Sequence, residues 1–136
     1  MDYFEIKESK KLYGSVKVSE AKNAVLPLMA ASILNKKKIK ILNVPTLSDS
    51  ITMSKLIEEM GGDVQFECDD SIIVDSSKLN NPYAPYDLVK TMRASFYVLG
   101  PLLARFKKAK VSLPGGCAWG PRPVDFHLKG LESLGV

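Results

Sequence analysis

Apolar positions near the start of the chain fall two apart. Val16 and Val18 alternate with Ser15 and Lys17, so Tyr3 to Lys7 and Leu12 to Val18 read as two short strands, with Gly14 marking a bend or bulge. From Lys22 to Leu34 the pattern changes: Val25, Leu26, Leu28, Met29, Ile33 and Leu34 leave little polar face, which predicts a helix buried nearly all round. A strand over Ile39 to Asn43 leads through Pro45 to a helix opening at Ser48-Asp49, whose side chains suit free backbone N–H groups. Met53, Leu56, Ile57 and Met60 stand at i, i+3, i+4 and i+7, a single apolar stripe, and Gly61-Gly62 ends that helix. Strands over Asp63 to Glu67 and Ser71 to Asp75 then face each other around Asp69-Asp70. After a polar loop, Ser76 to Pro85, a helix is predicted from Tyr86 to Leu99, broken by Gly100-Pro101 and resumed to Phe106. A strand from Ala109 to Leu113, the run Pro114-Gly115-Gly116 and a last helix from Pro123 to Leu134 complete the alternation.

The second half echoes the first. Lys37-Lys38-Ile39-Lys40-Ile41 falls on Lys107-Lys108-Ala109-Lys110-Val111 at a shift of 70 residues, Pro45 on Pro114 at 69, and Gly61 on Gly135 at 74. The same helix, strand, loop and helix therefore occur twice, and units of this kind bury one another's apolar faces. The second copy carries 74 − 69 = 5 extra residues within Gly115 to Arg122, and a loop lengthened in one copy only is a place to look for function. The strand pair that follows the first unit has no counterpart after the second, so the 136 residues are expected to be a truncated piece of a larger repeat protein.

Composition narrows the class. Hydrophobic residues make up 46% and charged residues 25%, enough for one core, which excludes disordered and fibrous chains. No apolar run reaches the roughly 20 residues of a membrane helix, and Met1-Asp2-Tyr3-Phe4-Glu5 lacks the features of a secretion signal, so a cytoplasmic location is expected. Cys68 and Cys117 have neither CxxC nor histidine spacing, which points to free thiols rather than to a disulfide framework or zinc. Cys68 at its turn reads as structural or incidental. The net charge of +4 is modest, and the clusters at Lys36-Lys37-Lys38 with Lys40 and at Lys107-Lys108 with Lys110 lack the interleaved aromatics of a single-strand binding platform. They read as solvated helix ends, where cations suit the dipole.

Candidate chemistry concentrates in Gly115-Gly116-Cys117-Ala118-Trp119-Gly120-Pro121-Arg122-Pro123, which sets a thiol, an indole and a guanidinium on a glycine-rich loop before a helix start at Val124-Asp125. A nearby arginine and a helix N-terminus both favour a thiolate, although from spacing alone Cys117 reads first as a small loop residue. Arg93 and Arg122 suit bidentate contact with carboxylate or phosphate, or an ordinary surface acid. His127 is the sole histidine and alone reads as a polar surface residue. Lys22-Asn23, opening a very apolar helix whose free N–H groups point the same way, reads equally as a natural anion seat or as a plain solvated helix start.

In combination these segments say more. Ala21-Lys22-Asn23-Ala24 with Leu26-Pro27, Ala84-Pro85-Tyr86-Asp87-Leu88-Val89, Met92-Arg93-Ala94-Ser95, Leu99-Gly100-Pro101-Leu102-Leu103-Ala104-Arg105-Phe106, Val111-Ser112-Leu113-Pro114-Gly115-Gly116-Cys117 and Arg122-Pro123-Val124-Asp125 resemble, in order and spacing, the enolpyruvyl transferase family. The likeness spans essentially the whole chain and is to the branch that uses UDP-N-acetylglucosamine. It implies an α/β fold, an inside-out α/β barrel of βαβαββ repeats, here truncated. Residues 1–20 would pack with another domain, and residues 21–136 would form a partial first domain of two units.

The same resemblance implies the substrates phosphoenolpyruvate and UDP-N-acetylglucosamine, a step in peptidoglycan precursor synthesis, and no metal or other cofactor. Lys22, Asn23 and Arg122 match phosphoenolpyruvate contacts. Arg93 and Arg122-Pro123-Val124-Asp125-Phe126 match UDP-sugar contacts, with His127 close by, and Cys117 matches a loop general acid. Glu20 stands where the family usually has glycine, and Trp119 where it has a smaller residue. The family's later aspartate and arginines have no counterpart in these residues, so the fragment alone is expected to be inactive. Two alternatives stay open: the sister enzyme acting on shikimate 3-phosphate, which generally lacks the loop cysteine and the Arg-Pro-Val-Asp run, and a noncatalytic basic module binding nucleic acid or protein.

Overall fold

The computed structural model describes residues 3–8, 11–18, 21–113 and 124–136. Its centre is helix α1 (Lys22–Ala31), which buries Val25, Leu26, Met29 and Ala30 and runs into a 3-10 turn, Ser32–Leu34, that buries Ile33. These positions recur every three to four residues, so one face is buried rather than the whole circumference. Leu28 and Leu34, expected inside, are more than half exposed. The apolar composition of the segment hid a periodicity that only the neighbouring elements select.

Strands β1 (Lys38–Ile41), β2 (Asp63–Phe66) and β3 (Ile72–Asp75) form an antiparallel sheet in the order β1-β3-β2. Its register places Ile39 and Val64 on either side of Val74, and Ile41 and Phe66 on either side of Ile72. Alternate side chains thus share one face, where Ile41, Val64, Ile72 and Val74 are buried. Against this layer lies α2 (Ser48–Glu59), which fully buries Met53, Leu56 and Ile57, with Met60 just beyond its last turn, as the sequence stripe predicts.

The start of α2 differs from expectation. Leu47 is the N-cap, and the Ser50 hydroxyl accepts the Leu47 N–H at 3.0 Å, so the reach-back from the third helical position replaces a cap by Ser48 or Asp49. At its far end Gly61 takes φ +94°, a left-handed turn that glycine adopts without strain. Gly62 lies so close to α2 that a Cβ there would stand 2.6 Å from Ile57 Cγ2.

The second half departs further. Tyr83–Ala84 forms β4, hidden in the predicted polar loop, and pairs in parallel with β5 (Lys110–Val111), shorter than the strand expected over 109–113. The helix predicted from Tyr86 to Leu99 breaks after only α3 (Tyr86–Val89). Thr91 and Ser95 hydroxyls bond the carbonyls of Leu88 and Met92, offering the backbone an alternative to the helical ladder, and Met92 is extended. A 3-10 helix, Arg93–Val98, runs directly into α4 (Leu99–Phe106). Gly100-Pro101 does not break the chain there. Pro101 occupies the first turn of α4, where its missing N–H would have had no intrahelical acceptor.

Helix α5 (Asp125–Ser133) closes the chain and buries no side chain. Residues 3–8 and 11–18, which include the strands predicted over Tyr3 to Lys7 and Leu12 to Val18, adopt no regular element, and their large apolar side chains are at least 81% exposed. They have no strand partner among the described residues, and an alternating pattern without one does not hold an extended ladder. Lys36, Lys37, Lys107 and Lys108 are exposed beyond helical segments, as expected of solvated ends, whereas Lys38, Lys40 and Lys110 of the same clusters stand in strands β1 and β5. Cys68 is an exposed free thiol in the β2–β3 turn. Among the described residues no helix is long and apolar enough to cross a membrane.

Candidate functional site

A cleft of about 410 Å³ opens where several helical segments begin, lined by residues that include Lys22, Asn23, Asp49, Arg93, Val124 and His127. Lys22 and Asn23 are the first two residues of α1. Their neighbours Ala24 and Val25 bond back to the Ala21 carbonyl, while Ala21 supplies no side-chain cap and the first turn holds no acid. The start of α1 therefore presents donors unpaired among the described residues and the positive end of its dipole. Pro27, one turn on, lacks the N–H that would bond the Asn23 carbonyl, so that carbonyl also stands outside the helical ladder.

The strand between α1 and α2 returns the chain to the end at which α1 begins. Helix α2 consequently starts beside it, and Asp49 in its first turn pairs with Lys22 at 2.6 Å. Arg93 opens the 3-10 helix on another wall. Its Nη1 is buried and has no hydrogen-bond acceptor among the described residues. A guanidinium nitrogen so placed is an unmet donor with a strong preference for an oxyanion. Val124 and His127 come from the entrance of α5, where the His127 ring lies 6.0 Å from that of Phe96 at 43°. His127 itself is exposed at the mouth.

Five of the ten residues singled out in the sequence thus line one cleft. Asp125 is adjacent in sequence but does not line this cleft, with Oδ2 3.6 Å from Lys129 and Oδ1 buried without a partner among the described residues. Phe126 faces a separate apolar groove of about 470 Å³ between α5 and the 3-10 helix. Cys117, Arg122 and Pro123, with Trp119 and Glu20, lie outside the described residues. Sequence reasoning treated Asp49 only as a helix-start residue and passed over Phe96 and Tyr97, which also line the cleft. The signal for Asp49 lay in topology: helix, strand, helix puts two helix starts side by side.

The arrangement gathers two cations, a carboxylate and free backbone donors, with aromatic side chains on one wall, and it suits a ligand carrying negative charge at one end and a flat apolar part at the other. Residues 6–136 match the family model described as EPSP synthase (3-phosphoshikimate 1-carboxyvinyltransferase). The chain belongs to that family. Within the EPSP synthase family it is 57% identical to UDP-N-acetylglucosamine 1-carboxyvinyltransferase of Acinetobacter guillouiae and 53% identical to the protein of that name from Dichelobacter nodosus. Both alignments cover all of this chain and 32% of the relative, so it spans about a third of the length of the curated relatives it matches. The enolpyruvyl transferase NikO from Streptomyces tendae is similar in fold, with a TM-score of 0.63 and 25% identity over 70% of this chain and 22% of that one. The described helices and strands are thus a part of the enolpyruvyl transferase fold.

Proposed function

We propose that the chain is the N-terminal part of a transferase that moves the enolpyruvyl group of phosphoenolpyruvate to the 3-hydroxyl of UDP-N-acetylglucosamine. The convergence of Lys22, Asn23 and Arg93 on one cleft carries this reading, supported by relatives that bear that enzyme's name over every residue of the chain. Lys22 and Asn23, with Arg122, take the phosphate and carboxylate of phosphoenolpyruvate. Arg93, the run Arg122-Pro123-Val124-Asp125-Phe126 and His127 take the UDP-sugar.

In the addition step the sugar oxygen bonds to C2 of phosphoenolpyruvate while the Cys117 thiol gives its proton to C3, and the hydroxyl proton passes to a base. Loss of phosphate from C2 and of a proton from C3 then restores the vinyl group. Fixed cations offset the charge that builds on the phosphate as it leaves. The base and further cations come from the part of the relatives that lies beyond these 136 residues, so the fragment alone is inactive. The product would feed peptidoglycan synthesis in the cytoplasm, and with it cell-wall growth and division.

The decisive measurement is phosphate release by the protein of the uninterrupted reading frame. Phosphoenolpyruvate is supplied with UDP-N-acetylglucosamine or with shikimate 3-phosphate, and Cys117→Ser is assayed alongside. Release is expected only with the UDP-sugar, and the serine variant is expected to be slower by about a hundredfold or more, the range of a lost general acid. Release with the shikimate ester alone would move the chain to the sister activity, and release with neither would sink the enzymatic reading.

A further inference from the structure

Lys22 does not stand free at the start of α1. Its ammonium lies 2.6 Å from the carboxylate of Asp49, which is the less exposed partner at 27% against 48%, and both residues line the cleft. The pair joins the first turns of two different helices, so it is set by the packing of α1 on α2 rather than by local spacing. Among the described residues, Arg93, His127 and the Tyr97 phenol are the other charged or titratable groups lining the same space.

We infer that Asp49 is a positioning residue for Lys22, an inference that rests on the functional reading above. The carboxylate holds a four-carbon side chain in one place, so the phosphate or carboxylate of phosphoenolpyruvate meets a cation already aimed at it. Without that contact the ammonium would have to be ordered at the moment of binding, a cost that preorganisation removes. The incoming anion does not need to expel Asp49, because a lysine ammonium has three donors and one contact leaves others free.

Two simpler roles predict different outcomes. As a mere neighbouring charge, Asp49 repels an anion, and its removal should tighten binding. As a mere first-turn acid it steadies α2 against the helix dipole, and its removal should lower stability with no change in kinetics. Positioning predicts the opposite sign from the first and a kinetic effect absent from the second.

The test uses the protein of the uninterrupted reading frame, with KM and kcat for phosphoenolpyruvate measured for Asp49→Asn and for Asp49→Ser. Serine is well suited to a helix start and keeps the variant series usable should asparagine disturb folding. Each is also combined with Lys22→Ala. We expect KM to rise about tenfold or more in both single variants with a smaller change in kcat, and the same substitutions to alter KM less than about twofold once Lys22 is absent, as coupling through one partner requires. An unchanged or lowered KM in the single variants, or an equal rise in the Lys22→Ala background, overturns the inference. If the unmutated protein releases no phosphate from phosphoenolpyruvate, the functional reading falls and takes this one with it. If the unmutated protein is active and the variants match it, only this inference falls.

Discussion

Helices α2 and α5 occupy matching places in the internal repeat, yet one is the heart of the core and the other buries nothing. At the shift of 74 that aligns Gly61 with Gly135, the stripe Met53, Leu56, Ile57 and Met60 falls on His127, Gly130, Leu131 and Leu134. All four members of the first set are fully buried, whereas Leu134 is 81% exposed and a side chain at Gly130 would meet open space. The local ending is shared nonetheless: Gly61 and Gly135 take φ +94° and +82°. Helix termination is a property of a few residues, but burial of a stripe needs a second layer. In the first unit that layer includes β2 and β3. In the second, the corresponding face lines the apolar groove beside Phe96 and Tyr97.

The largest effect should come from testing that contrast directly. Leu56→Ala removes a fully buried side chain from a closed site and should cost about 3 kcal/mol, transfer and cavity terms together. Leu134→Ala, at the position of the second stripe that matches Met60, should stay within about 0.5 kcal/mol, as exposed substitutions do. Urea unfolding of both variants checks the pair. Comparable losses would mean that α5 is covered in solution, and the contrast between the two helices would disappear.

A smaller effect is expected where the two units are joined. Arg105, on α4, donates from Nη1 to the Ile33 carbonyl at 2.8 Å and from Nη2 to the Leu79 carbonyl at 3.2 Å. One guanidinium thus joins the end of the 3-10 turn after α1 to the loop after β3. Charged hydrogen bonds to carbonyls contribute more than neutral ones, so Arg105→Met should destabilise the fold by about 2 kcal/mol. Arg105→Lys should recover less than half, because an ammonium cannot span both acceptors with the geometry of the fork. Urea unfolding of the two variants against the parent decides it, and a full recovery by lysine would show that charge rather than bidentate geometry ties the units together.

These joins explain what the sequence could and could not tell. The stripe of α2, its closing glycine and the β2–β3 hairpin depend on neighbours within a dozen residues, and all were legible. Strand β4 was not, and β5 was read too long, since their two-residue parallel pairing spans the whole of α3 and α4. The misplaced break at Gly100-Pro101 arose because proline was judged by its presence rather than by its position in the first turn. The alternation in residues 3–18 was real as a pattern and found nothing to pair with among the described residues. At the site, Lys22 and Asn23 stood out at a helix opening, and Arg93 as a guanidinium suited to a carboxylate or phosphate. Asp49 stood out only once α1 and α2 were seen to begin side by side, because its role is relational.

The smallest expected effect separates the two units by their electrostatics. Lys40 on β1 bonds the Asp69 carboxylate at 2.8 Å, while Lys110, its counterpart at the shift of 70, lies over the Tyr83 ring at 5.1 Å and forms no ion pair among the described residues. The Lys40 ammonium, then the Ser71 hydroxyl, hold Asp69 below the usual carboxylate range, and the Asp69 carboxylate in turn raises Lys40. A carboxyl whose folded pKa is depressed contributes stability above its unfolded value, about 3.9, and loses it as pH falls through the folded value. A lysine whose folded pKa is raised contributes below its unfolded value of about 10.4 and loses it as pH rises through the folded one. The pair therefore acts across the neutral range, and its exposure keeps the effect small and sensitive to salt. Asp69→Asn should lower the melting temperature slightly at pH 7 in low salt, with the difference from the parent shrinking at pH 3 and in 1 M salt. Lys110→Met should show no such convergence, since no carboxylate among the described residues answers it. Equal pH dependence in the two variants would mean that the second strand has an acidic partner after all, and that the two units are closer in their surface electrostatics than in their packing.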